Sequence, residues 1–280
     1  MDSLVSTEWL AGALGESDLR VIDASWFMPS AGREARAEYE AAHIPGAVYF
    51  DLDDISDPAS PLPHMMPDAA RFAGKMRALG IGDHQRTVIY DNSPIHSAAR
   101  AWWMLRTFGA RDVAILDGGL QKWTAEGRAT ERGMTDVPRG HFTPDLDAAG
   151  IVDKAVLLPL VGAGSHEIVD ARGAARFAGA EPEPRAGLAS GHIPGARNVP
   201  QGDLFNADNR FKRGEELRAV FDAAGVDLAR PMVTTCGSGV TAAIVLFAAH
   251  LLGKDDVRLY DGSWTEWGGD PATPKATGRA

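Results

Sequence analysis

The segment MVTTCGSGVTAAIVLF, residues Met232–Phe247, contains the pattern that decides the fold of this 280-residue chain. A β-branched run over Met232–Thr235 leads into two closely spaced glycines, and an apolar helical pattern follows from about Val240. This order predicts a buried strand, a tight loop and a helix. Functional sites of parallel α/β sheets lie beyond the C-terminal ends of strands, so Cys236 is the first candidate for chemistry.

The same pattern occurs a second time, because the sequence contains an internal repeat. MVTTCGSGVTAAI matches TVIYDNSPIHSAA at Thr87, and GHIPGARNVPQGDL at Gly191 matches AHIPGAVYFDLDDI at Ala42. IVDARGAARF at Ile168 matches VIDASWF at Val21, and VRLYDGSWTEW at Val257 matches VAILDGGLQKW at Val113. The four matching segments follow one another in the same order in both halves. Repetition in a constant order indicates duplication of one domain. We expect a first domain over residues 1–140, a linker over 141–155 and a second domain over 156–280.

Short β-branched runs alternate with helical patterns in both halves, which predicts an α/β fold. The predicted strands are Arg20–Asp23, Ala47–Phe50, Thr87–Tyr90 and Val113–Leu116 in the first half, and Glu167–Asp170, Arg197–Val199, Met232–Thr235 and Val257–Tyr260 in the second. Helices are expected over Pro67–Leu79 and Ser97–Phe108. Each domain should therefore be a mainly parallel sheet that is flanked by helices.

Composition and charge argue against several kinds of partner. The chain has 28 Lys and Arg against 38 Asp and Glu, a formal net charge of −10, which disfavours nucleic acids and anionic membranes. The longest apolar stretch, Val240–Leu252, is too short for a bilayer span of ~20 residues. The N-terminal MDSLVSTEWL carries no base and resembles neither a signal nor a transit peptide. We therefore expect a cytoplasmic protein.

The cysteine and histidine content predicts neither a disulfide nor a metal site. Cys236 is the one cysteine of the sequence, so an intrachain disulfide and a thiolate zinc cluster are both excluded. No two of the eight histidines lie within one helical turn of each other. We expect no metal and no cofactor.

The loop after the predicted strand is suited to a negatively charged sulfur. Gly237 and Gly239 allow unusual φ angles, and successive backbone N–H groups in such a loop form an anion cradle. The positive end of the following helix adds to that field. A purely structural, buried cysteine is the alternative, but the flanking glycines favour function. The first half carries Asp91 at the equivalent position and has lost the thiol.

Cysteine phosphatases have a loop of similar shape, but they differ from this chain at one essential position. They place an arginine six or seven residues after the cysteine to bind the phosphate oxygens. Those positions are Ala242 and Ala243 here, so the sequence argues against a phosphatase.

The two HIPGA segments, the CGSGVTA loop and the terminal DGSWTEWG resemble the two-domain sulfurtransferases of the rhodanese superfamily, over nearly the whole chain. The loop is most similar to that of the 3-mercaptopyruvate sulfurtransferases, since thiosulfate enzymes carry basic residues in place of Gly237 and Ser238. The resemblance implies that Cys236 takes sulfur from the donor as a persulfide while pyruvate leaves. A thiol such as thioredoxin, a low-molecular-weight thiol or cyanide would then accept the sulfur.

The resemblance also implies residues that bind the donor. Arg176 and Arg185 would hold its carboxylate and keto oxygens, a task that suits planar and always charged guanidinium groups. The substrate site would further be lined by loop residues, namely Gly237, Gly239, Val240 and Thr241. The alternative is that the two arginines are surface residues that pair with Glu181 or Glu183.

A proton relay is the third element that the resemblance implies, and it maps onto Ser238, His64 and Asp53. Ser238 lies within the cysteine loop itself. His64 lies in the proline-rich stretch PLPHMMP and has an exposed loop position as its alternative. Asp53 lies among other acidic residues, so a solvated acidic loop is its alternative. His43 and His192 of the HIPGA segments are predicted to be structural, because both halves keep them.

Two other functions remain as alternatives. The first is the same chemistry with thiosulfate as the donor, which the absence of basic residues in the loop disfavours because a dianion gains from nearby positive charge. The second is a non-catalytic binding module. That reading fits the first half, whose Asp91 cannot form a persulfide, but the intact Cys236 loop argues against it for the second half.

Overall fold

Two five-stranded parallel β-sheets organise the chain in the computed structural model, which describes residues 1–278. One unit consists of Met1–Pro58, Met66–Asp147 and the short segment Ala207–Arg210. The other consists of Ala59–Met65, Ala148–Asn206 and the chain from Phe211 onward. The segment Ala59–Met65, which carries His64, thus packs with the second half of the sequence.

The first unit has its strands in the spatial order β1-β5-β4-β2-β3, and all neighbours are parallel. Its strands are β1 (Leu4–Val5), β2 (Leu19–Asp23), β3 (Val48–Tyr49), β4 (Arg86–Tyr90) and β5 (Val113–Leu116). Its helices are α1 (Thr7–Ala13), α2 (Ala35–Ala41), α3 (Leu52–Ile55), α4 (Ala69–Ala78), α5 (Ala98–Thr107) and α6 (Gly119–Ala125).

The second unit repeats this topology, with the order β6-β10-β9-β7-β8 and parallel pairing throughout. Its strands are β6 (Ile151–Val152), β7 (Glu167–Asp170), β8 (Arg197–Asn198), β9 (Met232–Thr235) and β10 (Val257–Tyr260). Its helices are α7 (Lys154–Leu157), α8 (Ala174–Phe177), α9 (Gly214–Ala223), α10 (Ala242–Leu251) and α11 (Ser263–Trp267). The equivalent orders confirm the α/β class and the duplication.

The edges of both sheets differ from the sequence-based expectation. β1 and β6, each of two residues, were not predicted, because two apolar residues give no readable alternation. The predicted strands Ala47–Phe50 and Arg197–Val199 shorten to β3 and β8, which are edge strands that pair on one side only. The predicted helix Pro67–Leu79 begins at Ala69, where the Asp68 side chain caps it by accepting the Arg71 N–H at 2.7 Å.

The helix that follows the cysteine loop is buried on all sides. α10 has eight consecutive buried residues, from Ala242 to Ala249. An all-apolar helix of this kind forms because both of its faces are covered by protein. It does not span a membrane: across residues 1–278, every helix is too short or too polar for that. Trp264 and Trp267 belong to the hydrophobic core of the second unit.

Candidate active site

Cys236 lies directly after β9, between the neighbouring strands β10 and β7, at the C-terminal edge of the second sheet. Its side chain is buried, with 2% of the residue exposed. The equivalent edge of the first sheet holds Asp91, after β4. The topology therefore places both residues where the strand pattern predicts, at the end of a central strand.

The cysteine loop reaches its shape through one left-handed glycine, not two. Gly239 has φ +79°, whereas Gly237 does not have a positive φ, so only Gly239 uses the conformational freedom that the two glycines offer. Val240 and Thr241 form a turn, and α10 begins only at Ala242 instead of near Val240. The delay follows from Gly239, because a left-handed residue reverses the chain before helical dihedrals can start.

Backbone contacts to the N-terminal turn of α11 hold the loop in place. The Cys236 carbonyl accepts the Trp264 N–H at 2.9 Å, and the Gly237 carbonyl accepts the Thr265 N–H at 2.9 Å and its hydroxyl at 2.6 Å. Ser263, with φ +48°, accepts the Cys236 N–H on its hydroxyl at 3.2 Å. The roles of Ser263 and Thr265 in holding the loop were not predicted from the sequence, although both residues lie in the repeated DG segment.

With its carbonyls occupied, the loop presents amide groups. Within residues 1–278 the N–H groups of Gly237, Ser238, Val240 and Thr241 have no acceptor in the protein. Amides that lie together and lack an acceptor stabilise a negative charge near them. The loop therefore has the donor set that the anion-cradle hypothesis requires.

Ser238 contacts a histidine that lies 174 residues away in the sequence. Its hydroxyl is 2.9 Å from Nδ1 of His64, and only 5% of His64 is exposed. The alternative for His64, an exposed loop position, is therefore wrong. His64 has φ +62°, a conformation that costs energy in a residue with a Cβ and that persists where surrounding structure demands it. The pair forms a polar contact next to the cysteine.

Asp53 lies in the first unit, within the short helix α3, and its carboxylate is exposed. Its Oδ2 accepts the indole N–H of Trp26 at 2.9 Å. This bond gives Asp53 a fixed orientation, in contrast to a freely solvated acidic loop. Its membership in a relay with His64 stays a prediction.

Arg176 and Arg185 both lie against the cysteine loop. A Cβ placed on Gly237 would be 3.4 Å from Nη2 of Arg176 and 3.8 Å from Nη1 of Arg185. The two arginines therefore lie beside the loop that carries Cys236. Gly237 leaves a space that two guanidinium groups border.

The alternative for Arg176, a pairing with Glu183, is also correct, but the pair is not a surface contact. Nη2 of Arg176 is 2.5 Å from Oε2 of Glu183, whose side chain is only 2% exposed. Glu183 also binds Nη1 of the buried Arg172 at 2.7 Å, and Arg172 binds Asp170 at 2.6 Å. Burial alone would lower the pKa of Arg172, but Asp170 and Glu183 raise it, so the guanidinium stays charged.

The two domain-sized matches to known sequences agree with this arrangement. The model of the rhodanese-like domain matches residues 6–126 and again residues 154–270. The chain belongs to the rhodanese family. Both copies of the sequence repeat are therefore rhodanese-like domains, and Cys236 lies in the second.

Relatives within the rhodanese family cover almost the whole chain. The human 3-mercaptopyruvate sulfurtransferase is 44% identical over 271 residues, which is 95% of this chain and 91% of that protein. A thiosulfate sulfurtransferase from Cricetulus griseus is 42% identical over 273 residues, again 95% of this chain and 91% of that protein. The crystal structure of SseA from Escherichia coli, described among 3-mercaptopyruvate sulfotransferases, superposes with a TM-score of 0.87 at 41% identity and covers 94% of this chain and 99% of its own.

In the first rhodanese-like domain, the loop equivalent to the cysteine loop begins with a carboxylate, that of Asp91. Asp91 accepts the Ser93 N–H at 3.0 Å and the Ala98 N–H, at the start of α5, at 2.8 Å. Burial raises the pKa of Asp91 to about 6, against the opposing effect of these two bonds. An acidic side chain thus fills the position where the second domain holds its thiol.

The histidines of the two HIPGA segments are structural, as predicted. His43 stacks on Tyr39 at 4.2 Å between ring centroids, and His192 stacks on Phe177 at 3.8 Å. In each case Nδ1 is 2.8 Å from the backbone carbonyl of the same aromatic residue. Both rings are buried, so they brace equivalent turns in the two domains.

Proposed function

We propose that this chain is a sulfurtransferase that takes sulfur from 3-mercaptopyruvate through a persulfide on Cys236. The observation that carries the proposal is the space at Gly237, bordered by Arg176 and Arg185, directly beside a buried cysteine. A donor with one carboxylate fits such a space, because guanidinium groups bind carboxylates through charge-assisted hydrogen bonds. The 44% identity to the human 3-mercaptopyruvate enzyme supports the same donor.

The first step forms one sulfur–sulfur bond and breaks one carbon–sulfur bond. The Cys236 thiolate attacks the donor sulfur, and the carbon–sulfur bond electrons leave as the enolate of pyruvate. The proton of the donor thiol ends on that carbon, which gives pyruvate and a Cys236 persulfide anion. The amides of Gly237, Ser238, Val240 and Thr241, which lack a protein acceptor among residues 1–278, are proposed to stabilise the charged sulfur, and Gly239 shapes the loop that carries them.

Ser238 and His64 are proposed to move that proton. Their contact of 2.9 Å lets the Ser238 hydroxyl donate to Nδ1 and so accept the thiol proton from the donor. Asp53 is proposed as the third relay member. Such a relay matters only at the step that releases pyruvate, since the later attack on the persulfide has no carbon to protonate.

The second step returns the thiolate to its starting state. A nucleophilic acceptor attacks the outer sulfur, the sulfur–sulfur bond to Cys236 breaks, and Cys236 leaves as the thiolate. A thiolate acceptor forms a new sulfur–sulfur bond, whereas cyanide forms a carbon–sulfur bond and gives thiocyanate. We propose a thiol such as thioredoxin, a low-molecular-weight thiol or cyanide as the acceptor, with no metal or cofactor. Residues 1–140 then act as a non-catalytic domain, 141–155 as a linker and 156–280 as the catalytic domain. The cytoplasmic location stays a prediction.

Thiosulfate is a second candidate donor, and two observations favour it. Arg176 and Arg185 lie close enough to the loop to meet a dianion, and a thiosulfate sulfurtransferase is 42% identical to this chain. The loop itself carries no basic residue, so 3-mercaptopyruvate remains the preferred donor.

The deciding experiment compares the two donors on one preparation. Pyruvate release from 3-mercaptopyruvate and thiocyanate formation from thiosulfate are measured for the wild type and for Cys236→Ser, and mass spectrometry follows the sulfur. We expect a higher kcat/KM with 3-mercaptopyruvate, one added sulfur on the wild type and none on the variant. A wild type that prefers thiosulfate overturns the donor, and activity in Cys236→Ser overturns the nucleophile.

A further inference from the structure

Four charged side chains, three of them buried, form an ion-pair network that ends at one of the two proposed donor-binding arginines. It runs from Asp170, the last residue of β7, through Arg172 and Glu183 to Arg176. The Arg172 side chain is 1% exposed and that of Glu183 is 2% exposed, whereas that of Arg176 is 27% exposed. The ion-pair network thus leads from the interior of the second domain to the cysteine loop.

Glu183 binds one specific edge of the Arg176 guanidinium. Its Oε2 is 2.5 Å from Nη2, and its Oε1 is 3.4 Å from Nε. Nη1 has no partner anywhere in residues 1–278, and Nη2 lies toward Gly237. A guanidinium is a rigid planar fork, so fixing the Nε–Nη2 edge also fixes the direction of the remaining N–H groups.

Arg172 holds Glu183 from behind and is itself anchored close to the nucleophile. Nη1 binds Glu183, while Nε and Nη2 bind Asp170 at 3.0 and 2.6 Å. Asp170 is paired in register with Thr235, the residue before Cys236. The Arg172 guanidinium lies 4.3 Å from the centroid of the Trp264 ring, and the backbone N–H of Trp264 donates to the Cys236 carbonyl.

From this arrangement we infer that Glu183, supported by Arg172, is a positioning residue for the donor's carboxylate. It holds the Arg176 plane so that the unused N–H groups face the space at Gly237. The inference deepens the proposed function and rests on it for the identity of the donor. It does not require Glu183 to contact the donor.

The direction in which Glu183→Gln changes anion binding distinguishes an orienting role of Glu183 from an effect of net charge. The two carboxylates and two guanidinium groups of the ion-pair network have a net charge of zero, so Glu183 cancels the positive charge of Arg176. If net charge alone governed binding of an anion, Glu183→Gln would strengthen it. If orientation governs binding, the same substitution weakens it.

The experiment measures alkylation of Cys236 by iodoacetate and by iodoacetamide in the full chain. The two reagents differ in the carboxylate, so the ratio of their rates reports carboxylate binding beside the cysteine without any assumption about the donor. We expect Glu183→Gln to lower the iodoacetate-to-iodoacetamide ratio by about tenfold, because a misdirected guanidinium loses much of its binding geometry. Glu183→Asp, which keeps the charge, should recover part of the ratio.

Glu167→Gln is the matched control. Glu167 is a buried carboxylate at the opposite end of the same strand, β7, and it pairs with Arg230 at 2.5 Å. This variant should lose a comparable amount of stability but leave the ratio unchanged. Arg176→Lys keeps the charge on a more exposed residue and removes the fork, so it should lower the ratio even if Glu183→Gln folds poorly.

Three outcomes overturn the positioning role: a ratio that rises in Glu183→Gln, a ratio that does not change, or an equal fall in Glu167→Gln. Pyruvate release by the wild type separates this inference from the proposed function. If the wild type releases no pyruvate from 3-mercaptopyruvate while the ratio falls as expected, the donor is wrong and the positioning role holds for another carboxylate. If pyruvate is released and the ratio is unchanged, the donor holds and the positioning role is wrong.

Discussion

Removal of Arg176 should damage donor turnover more than removal of Arg185, although both border the same space. Each substitution to alanine removes a charge-assisted hydrogen bond to the donor's carboxylate, which contributes about 1.5–3 kcal/mol. Arg176→Ala also leaves the Glu183 carboxylate facing the donor, since Arg176 is its partner toward the loop. Arg176→Ala therefore adds a repulsion between Glu183 and the donor to the loss of its hydrogen bond.

The size of that repulsion follows from Coulomb's law. Two unit charges about 7 Å apart, at an effective dielectric constant of about 20, repel by about 2.4 kcal/mol. Arg172 stays paired with Glu183 at 2.7 Å and offsets part of that field. If the offset is about half, near 1 kcal/mol remains, which is roughly a fivefold difference in kcat/KM. We expect losses of roughly 10- to 150-fold for Arg185→Ala and roughly fivefold more for Arg176→Ala.

The assay is steady-state pyruvate release from 3-mercaptopyruvate, with unfolding curves to show that each variant is folded. The double variant Arg176→Ala with Glu183→Gln provides the internal test. Because it removes the repelling carboxylate, it should regain about fivefold over Arg176→Ala alone. Equal losses in the two single variants, or a double variant that is worse than Arg176→Ala, would refute the reasoning.

Three further predictions follow from individual residues. His64→Ala should lower the rate of pyruvate release by ~10²-fold or more while iodoacetamide still alkylates Cys236, and an unchanged rate would remove His64 from the relay. The double variant Gly237→Arg with Ser238→Lys should shift the ratio of kcat/KM for thiosulfate over kcat/KM for 3-mercaptopyruvate upward. Gly237 lacks the positive φ that would strain an arginine. A folded double variant that keeps the wild-type ratio would therefore contradict the argument that loop charge selects the donor. Burial raises the pKa of Asp91 in the folded chain to about 6, from 3.8, so the stability this carboxyl contributes is present below pH 3.8 and is lost as the pH rises through about 6. Urea unfolding should therefore show the wild type losing about 3 kcal/mol relative to Asp91→Ala between pH 4 and 7, and parallel pH profiles would show that the carboxyl titrates normally.

Local sequence patterns were sufficient for the central parts of the fold. β7, β9, β5 and β10 have the predicted bounds, because a central strand is buried on both faces and reads as a short β-branched run. The position of Cys236 followed from the same pattern. The edges did not, since two-residue strands such as β1 and β6 are defined by their pairing partners and not by their own sequence.

Within the site, motifs of the sequence by themselves indicated the proposed nucleophile Cys236, its loop and the two candidate donor-binding arginines. Their surroundings depended on contacts between residues that are distant in the chain. The burial of His64 against Ser238 joins positions 174 residues apart, and no local period encodes such a contact. A proline-rich stretch such as PLPHMMP reads as an exposed loop until its partner is known.

The ion-pair network that ends at Arg176 shows most clearly what only the tertiary structure decided. Asp170, Arg172 and Glu183 each read in the sequence as ordinary polar residues, and a pairing of Arg176 with Glu183 was anticipated only as a surface contact. The fold buries Glu183 between two guanidinium groups and holds it against Arg176 in one geometry. Sequence fixes which charges exist, but burial determines whether a pair is screened by water or held in one geometry, and burial is a property of the assembled core.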